Sequence, residues 1–191
     1  MVLALVRIFG GAALDNATVV VVMALAVVSI FFGNLAALGQ RHLRRLLAYS
    51  SIAHAGYMVF ALADVTGNRS SDLLWYTAFY ALATVLACAS FTVMCPGDDG
   101  DDLQALDGQF ARHPVAALLL ALAVLSLAGV PPFPGFFAKL FVFRSVVASG
   151  QLGPAVLAFA GSFLVLAVYL GIVLRLFRTD SSARTPGGAT A

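Results

Sequence analysis

The sequence contains no glutamate, a single lysine and only two cysteines. Without glutamate, no residue can close a calcium-binding EF-hand loop in the usual way, and all nine acids are aspartates. Cys88 and Cys95 stand in one apolar stretch. They are too few for a disulfide framework, a zinc site or an iron–sulfur cluster, so they read as reduced structural thiols. Charged residues make up 10% of the chain, against about 25% in soluble domains. Hydrophobic residues make up 61%, which points to a membrane protein. A net charge of +2 with no basic tract gives no reason to expect nucleic acid as a partner. No glycine-rich nucleotide fingerprint is present. Met1 leads directly into an apolar run, without a basic n-region or a small-residue cleavage site, so no cleavable signal peptide is expected.

Five segments are long enough to span a bilayer, which takes about 20 apolar residues. They run over about 17–38, 44–63, 72–94, 114–147 and 154–176. The fold class is therefore all-α: a polytopic membrane helix bundle of about five transmembrane helices, with the lipid bilayer as its solvent. Residues 1–16 read as the end of a preceding transmembrane helix and its loop, 17–177 as the membrane domain, and 178–191 as a disordered tail.

The fourth segment is too long for one crossing. At 1.5 Å per residue it would reach about 50 Å, beyond a hydrocarbon core of about 30 Å. Pro131, Pro132 and Pro134 each remove a backbone donor, with Gly129 and Gly135 beside them. The expectation is two half-helices joined by an unwound stretch, which survives at membrane depth only where protein or water satisfies its backbone. A proline kink in a tilted helix is the simpler alternative. Just beyond the break stands Lys139, with no other charge within four residues on either side. A charged side chain at bilayer depth costs about 2.5–3.5 kcal/mol on insertion scales, so an intramembrane lysine is a functional candidate by default. Lysine can take up and release a proton, which arginine cannot usefully do. The alternative is a snorkelling lysine, but its stem is short for the distance to the end of the span.

The second span is unusually polar. It begins Arg44-Arg45-Leu46-Leu47-Ala48-Tyr49-Ser50-Ser51-Ile52-Ala53-His54-Ala55-Gly56-Tyr57. Ser50, His54 and Tyr57 share one helix face, and Ser51 adjoins them. His54 lies about 15 Å along the helix from Arg44, near mid-membrane. It can act either as a proton relay or as a neutral hydrogen-bonding link between helices. For Ser50, Ser51 and Tyr57 the interhelical link is the expected role.

Arginine placement sets orientation. Seven arginines (41, 44, 45, 112, 175, 178 and 184) fall on one side of the alternating topology, and three (7, 69 and 144) on the other. The positive-inside rule makes the arginine-rich side cytoplasmic. The loop from Pro96 to His113 carries Asp98, Asp99, Asp101, Asp102 and Asp107 without EF-hand alternation, so a solvated loop is expected rather than a metal site. Leu103, Leu106 and Phe110 within it suggest a short surface helix. The topology is checkable. In a background lacking Cys88 and Cys95, Asn68→Cys and Asp101→Cys are expected to label from opposite sides of the membrane. Labelling of both from one side refutes it.

Two stretches resemble the antiporter-like, proton-pumping membrane subunits of NADH:quinone oxidoreductase (complex I). One is Gly33-Asn34-Leu35-Ala36-Ala37-Leu38-Gly39-Gln40 with the run from Arg45 to Tyr57. The other is Leu125-Ser126-Leu127-Ala128-Gly129-Val130-Pro131-Pro132 with Gly135-Phe136-Phe137-Ala138-Lys139. With Leu106-Asp107-Gly108 and Arg112-His113-Pro114, they are most similar to the subunit N branch of that family, over about residues 1–178. One departure is Arg44, where the family usually has lysine. The resemblance implies two inverted five-helix repeats, each with one discontinuous helix, and a polar axis of buried ionisable groups. This chain looks like the C-terminal portion, carrying the second repeat. Lys139 falls on the lysine of the discontinuous helix, and His54 in the polar part of an earlier one.

The resemblance further implies a non-redox subunit of a translocase, not catalytic by itself. NADH, FMN, iron–sulfur clusters and quinone would be held by partner subunits, and none of them, nor a metal, by this chain. Expected partners are other membrane subunits of complex I and the missing N-terminal repeat, in the plasma membrane of a bacterium. Ser50 and Tyr57 are expected on the face left open by that repeat. The alternatives are a subunit of a multisubunit sodium/proton antiporter and a non-functional truncated remnant.

Overall fold

The computed structural model describes residues 15–62, 69–96 and 101–178. The preceding helix expected over residues 1–14 and the tail from 179 onward lie outside these. The described residues form helices α1 (Asn16–Leu38), α2 (Leu43–Ala61), α3 (Arg69–Met94), α4 (Gln109–Arg112), α5 (Pro114–Ala128), α6 (Pro134–Ala148), α7 (Leu152–Leu164) and α8 (Leu166–Leu176). A short 3-10 turn at Leu103–Leu106 precedes α4, so the expected surface helix forms as two short pieces. Gly108, in the left-handed region at φ 71°, separates them. Val165 keeps helical geometry, and Leu152–Leu176 behaves as one span.

Among the described residues, three helical spans are long and apolar enough to cross a membrane by length and composition: Asn16–Leu38, Ser71–Met94 and Leu152–Leu176. The other two crossings expected from the sequence differ for physical reasons. Helix α2 carries Arg44, Arg45, His54 and two serines. The fourth segment is divided into halves of 15 residues each, α5 and α6. The break anticipated from the prolines is therefore present, and the simple kink is not.

Helix α1 packs closely on α2 because glycine faces backbone in both directions. A Cβ on Gly33 would lie 2.5 Å from the Ala53 nitrogen, and one on Gly56 would lie 2.9 Å from the Ala26 carbonyl oxygen. Such close approach maximises dispersion contact where lipid removes the usual hydrophobic drive. Two apolar clusters fill the interior. One, nearer the arginine-rich end, includes Leu46, Phe91, Leu106, Leu120 and Tyr169. The other includes Ile30, Tyr57, Phe60, Tyr76, Val142 and Phe143. Val20, Leu25 and Val28 on α1, Trp75 and Leu82 on α3, and Leu157 and Phe163 on α7 point outward and are exposed. In water this surface would be a liability; it marks faces suited to meet lipid or another protein.

Two of the described acids of the 96–113 loop, Asp101 and Asp107, are tied to arginines. Asp107 pairs with Arg175 at 3.3 Å and Arg178 at 3.6 Å, and Asp101 with Arg44 at 3.8 Å. Asp102 caps the 3-10 turn by accepting from the Gln104 amide at 3.0 Å. Backbone bonds from Leu43 to Asp101 and from Leu103 to Arg41 fasten the loop onto the start of α2. Exposed pairs contribute about 0.2–1 kcal/mol each, so the backbone bonds do most of the docking. The loop closes the arginine-rich end of the bundle.

Candidate functional site

The site is built from the way α5 stops and α6 starts. Helix α5 ends in a Schellman motif. Gly129 adopts φ 79°, a left-handed conformation that glycine takes without a Cβ penalty. Its amide donates to the Ser126 carbonyl at 3.0 Å, and the Val130 amide to the Leu125 carbonyl at 3.2 Å. These bonds leave the last carbonyls of the helix, Leu127 and Ala128, without helical donors. Lys139 supplies them. Its Nζ donates to the Leu127 carbonyl at 3.2 Å and to the Ala128 carbonyl at 2.9 Å. An ammonium group is well placed there, because the C-terminal end of a helix carries partial negative charge. Lys139 is 6% exposed, and its Nζ also lies 5.2 Å from the centre of the Tyr57 ring.

The start of α6 is satisfied from the other side of the break. Pro134 occupies the first turn, where its missing N–H costs nothing. The Gly135 amide donates to the Ser126 hydroxyl at 3.1 Å. A Cβ on Gly135 would stand 1.8 Å from the Ser126 carbonyl oxygen, so only glycine fits. The two half-helices thus complete each other's open ends, and protein groups hold the unwound backbone, as such a break inside a bilayer requires.

A polar cluster faces this break. His54 Nδ1 lies 2.8 Å from the Tyr76 hydroxyl, and the His54 ring stacks on Tyr80 at 4.6 Å between centroids. Tyr57 stands between His54 and Lys139, 5.9 Å from the imidazole edge-on. The Asn34 amide reaches the Tyr57 hydroxyl at 3.5 Å and donates to the Gly161 carbonyl at 2.8 Å. A cavity of about 10 Å³ lies between His54, Tyr76 and Tyr80 on one side and Ser126 and Leu127 on the other. That volume is near the minimum for one water molecule. A larger cavity of about 250 Å³ opens beside Lys139, walled by Phe136, Phe143, Phe159 and Phe163, with Ser162 as a polar contact.

The sequence-derived residues divide clearly. Lys139, His54 and Tyr57 converge on one buried site, and Pro131, Pro132, Pro134 and Gly135 form the break beside it. Ser50 is buried a turn away and receives a hydrogen bond from the Tyr169 hydroxyl at 2.5 Å. Ser51 is not part of the cluster, for its hydroxyl donates to the Ala48 carbonyl of its own helix at 2.6 Å. The expectation that Ser50 and Tyr57 look out from an open face is corrected. Both are 2% exposed, because α8 covers the first and α1 and α6 enclose the second. Sequence reading missed Asn34, Tyr76, Tyr80, Ser126 and Tyr169. The spacing of Asp72, Tyr76 and Tyr80 on α3 was the one available signal. Among the described residues, no group of three histidines, cysteines or acids is placed to hold a metal ion.

Residues 1–167 match the family of NADH:quinone oxidoreductase/Mrp antiporter transmembrane proteins. NADH-quinone oxidoreductase subunit N of Pelobacter propionicus is 52% identical over all of this chain and 41% of its own length. Respiratory complex I from Thermus thermophilus with bound aureothin contains a chain 41% identical, with a TM-score of 0.70, covering 82% of this chain and 36% of that one. The Mrp complex from Dietzia sp. contains one 26% identical, with a TM-score of 0.74, covering 85% of this chain and 30% of that one. The chain thus spans about two fifths of the length of the curated relatives it matches. With the family matched over most of its residues and the helical membrane fold shared, this multi-pass chain belongs to the NADH:quinone oxidoreductase/Mrp antiporter membrane family.

Proposed function

We propose that this chain works as the second five-helix repeat of a subunit N-type membrane component of a proton-translocating NADH:quinone oxidoreductase, in the plasma membrane of a bacterium. Redox chemistry, with NADH, FMN, iron–sulfur clusters and quinone, belongs to partner subunits, and neighbouring membrane subunits complete the assembly. The single observation that carries this reading is the buried Lys139 ammonium on the two end carbonyls of a broken helix. Among the described residues a proton bound there is held by backbone dipoles, which release it without the breaking of an ion pair. His54, reached past the Tyr57 ring, is the next group able to exchange a proton. The backbone break lets these groups sit at mid-membrane while both half-helices stay satisfied.

The sodium/proton antiporter alternative shares the fold, as the Mrp complex shows. Sequence favours the first reading, since the identity to subunit N relatives is higher. The test uses sealed membrane vesicles carrying the assembled complex. Lys139→Ala is expected to lower NADH-driven proton uptake per assembled complex by at least about tenfold, which is about 1.4 kcal/mol on the transfer barrier. Undiminished uptake overturns the proposal. Sodium-dependent exchange without NADH oxidation would instead favour the antiporter.

A further inference from the structure

The hydrogen-bonded pair of His54 and Tyr76 is buried, and a proton that reaches it needs a way out. Five carboxylates occur among the described residues: Asp15, Asp72, Asp101, Asp102 and Asp107. The last three are engaged on the loop at the arginine-rich end. Asp15 is exposed at the start of α1 and accepts from Thr18 of the same helix. Asp72 is different. It stands in the first turn of α3, at the end away from the arginine-rich loops, and accepts a hydrogen bond from Ser145 of α6. Tyr76 follows it by four residues, so the two are neighbours on one helix face, about 6 Å apart along the axis. Helical side chains lean toward the N-terminus, which here is the direction from Tyr76 to Asp72. Tyr76 is 2% exposed, whereas Asp72 is half-buried. The series His54, Tyr76, Asp72 therefore runs from the buried site toward the arginine-poor surface.

We infer that Asp72 is the carboxylate through which protons leave the His54–Tyr76 pair toward the arginine-poor side, with the Tyr76 hydroxyl as the relay between them. This rests on the proposed proton-transfer function. In the step, the Nδ1–H bond of a protonated His54 breaks and an O–H bond forms at the Tyr76 oxygen. The original Tyr76 hydroxyl proton passes, through one bridging water, to the Asp72 carboxylate. His54 ends neutral, Tyr76 ends unchanged, and Asp72 holds the proton as a carboxylic acid until solvent takes it. No electrons move. Ser145 orients the carboxylate and leaves its second oxygen for the proton.

The experiment measures NADH-driven proton pumping per assembled complex, together with the solvent deuterium isotope effect on quinone reduction. Asp72→Asn is expected to lower pumping at least tenfold and to raise the isotope effect, because the exit becomes limiting. Asp72→Glu is expected to retain most of the pumping, and Ser145→Ala likewise, since each keeps a carboxylate. Wild-type pumping in Asp72→Asn overturns the inference. So does an equal loss in Ser145→Ala, which would mark the pair as a clamp between α3 and α6. Should Asp72→Asn fail to assemble, Tyr76→Phe decides: a tenfold loss supports the inference and unchanged pumping overturns it. Lys139→Ala is run alongside. If it abolishes pumping while Asp72→Asn does not, only the exit assignment falls. If it leaves pumping intact, the proposed function falls and takes the exit with it.

Discussion

Gly135→Ala is expected to remove most of the assembled subunit from the membrane. Alanine is the better helix former by about 0.8–1.0 kcal/mol, so local propensity alone predicts a gain. The break reverses that sign. The added methyl would lie 1.8 Å from the Ser126 carbonyl oxygen and 2.7 Å from its carbon, both rigid backbone atoms. Relief requires α6 to move away from α5. That breaks the bond from the Gly135 amide to the Ser126 hydroxyl and shifts Lys139 from the Leu127 and Ala128 carbonyls. Overpacking costs about 1–3 kcal/mol and occasionally more, and each buried group left unsatisfied adds about 1–3 kcal/mol. The sum exceeds the propensity gain severalfold. Gly153→Ala is the control, because nothing lies within 4 Å of a Cβ there. Immunoblots of membranes and of the purified complex are expected to show near-normal amounts for Gly153→Ala and little for Gly135→Ala. Equal amounts of the two would show that the half-helices do not depend on this contact.

The break and its lysine were legible in the sequence for local reasons. Three prolines in four positions cannot continue a helix, and a lone charge among phenylalanines has no local partner. Spans could be read from apolar length, and the lysine's place near the break from adjacency. What surrounds the lysine was not legible, because it is assembled from distant residues. His54 and Tyr76 are 22 apart in sequence, Asn34 and Tyr57 23 apart, Ser50 and Tyr169 119 apart, and Asn34 and Gly161 127 apart. Each hydroxyl or amide, taken alone, reads as ordinary interhelical contact. The half-helix carbonyls are a subtler case. The motif predicts that α5 must end, but not that the lysine twelve residues beyond Leu127 returns to close it. Likewise the acids of the 96–113 loop are visible as a cluster, while the arginine partners of Asp101 and Asp107 come from the far ends of α2 and α8. The error over Ser50 and Tyr57 has the same origin: a helix face can be drawn from one helix, but what covers it belongs to others.

Lys139→Arg and Lys139→Leu are expected to separate the two tasks of this position. The ammonium holds the frayed end of α5, and it can also change protonation. Arginine keeps the first and loses the second. Its guanidinium stays charged, suits the negative end of a helix, and has donors enough for the Leu127 and Ala128 carbonyls. The cavity of about 250 Å³ beside Lys139 gives the larger head group room. Lys139→Arg is therefore expected to assemble at close to the normal level, yet to pump protons at least about tenfold more slowly per complex, about 1.4 kcal/mol on the barrier. Leucine fills space without donating. Two buried carbonyls lose their partner at about 1–3 kcal/mol each, so less complex should reach the membrane, and what assembles should not pump. Heat inactivation of the purified complex separates the two variants: near wild-type midpoint for arginine, lowered for leucine. Normal pumping in Lys139→Arg would mean that a fixed charge suffices and that no proton leaves this nitrogen. Equal loss of assembly in both would mean that the site demands the shape of lysine, and the carbonyl contacts alone would not explain it.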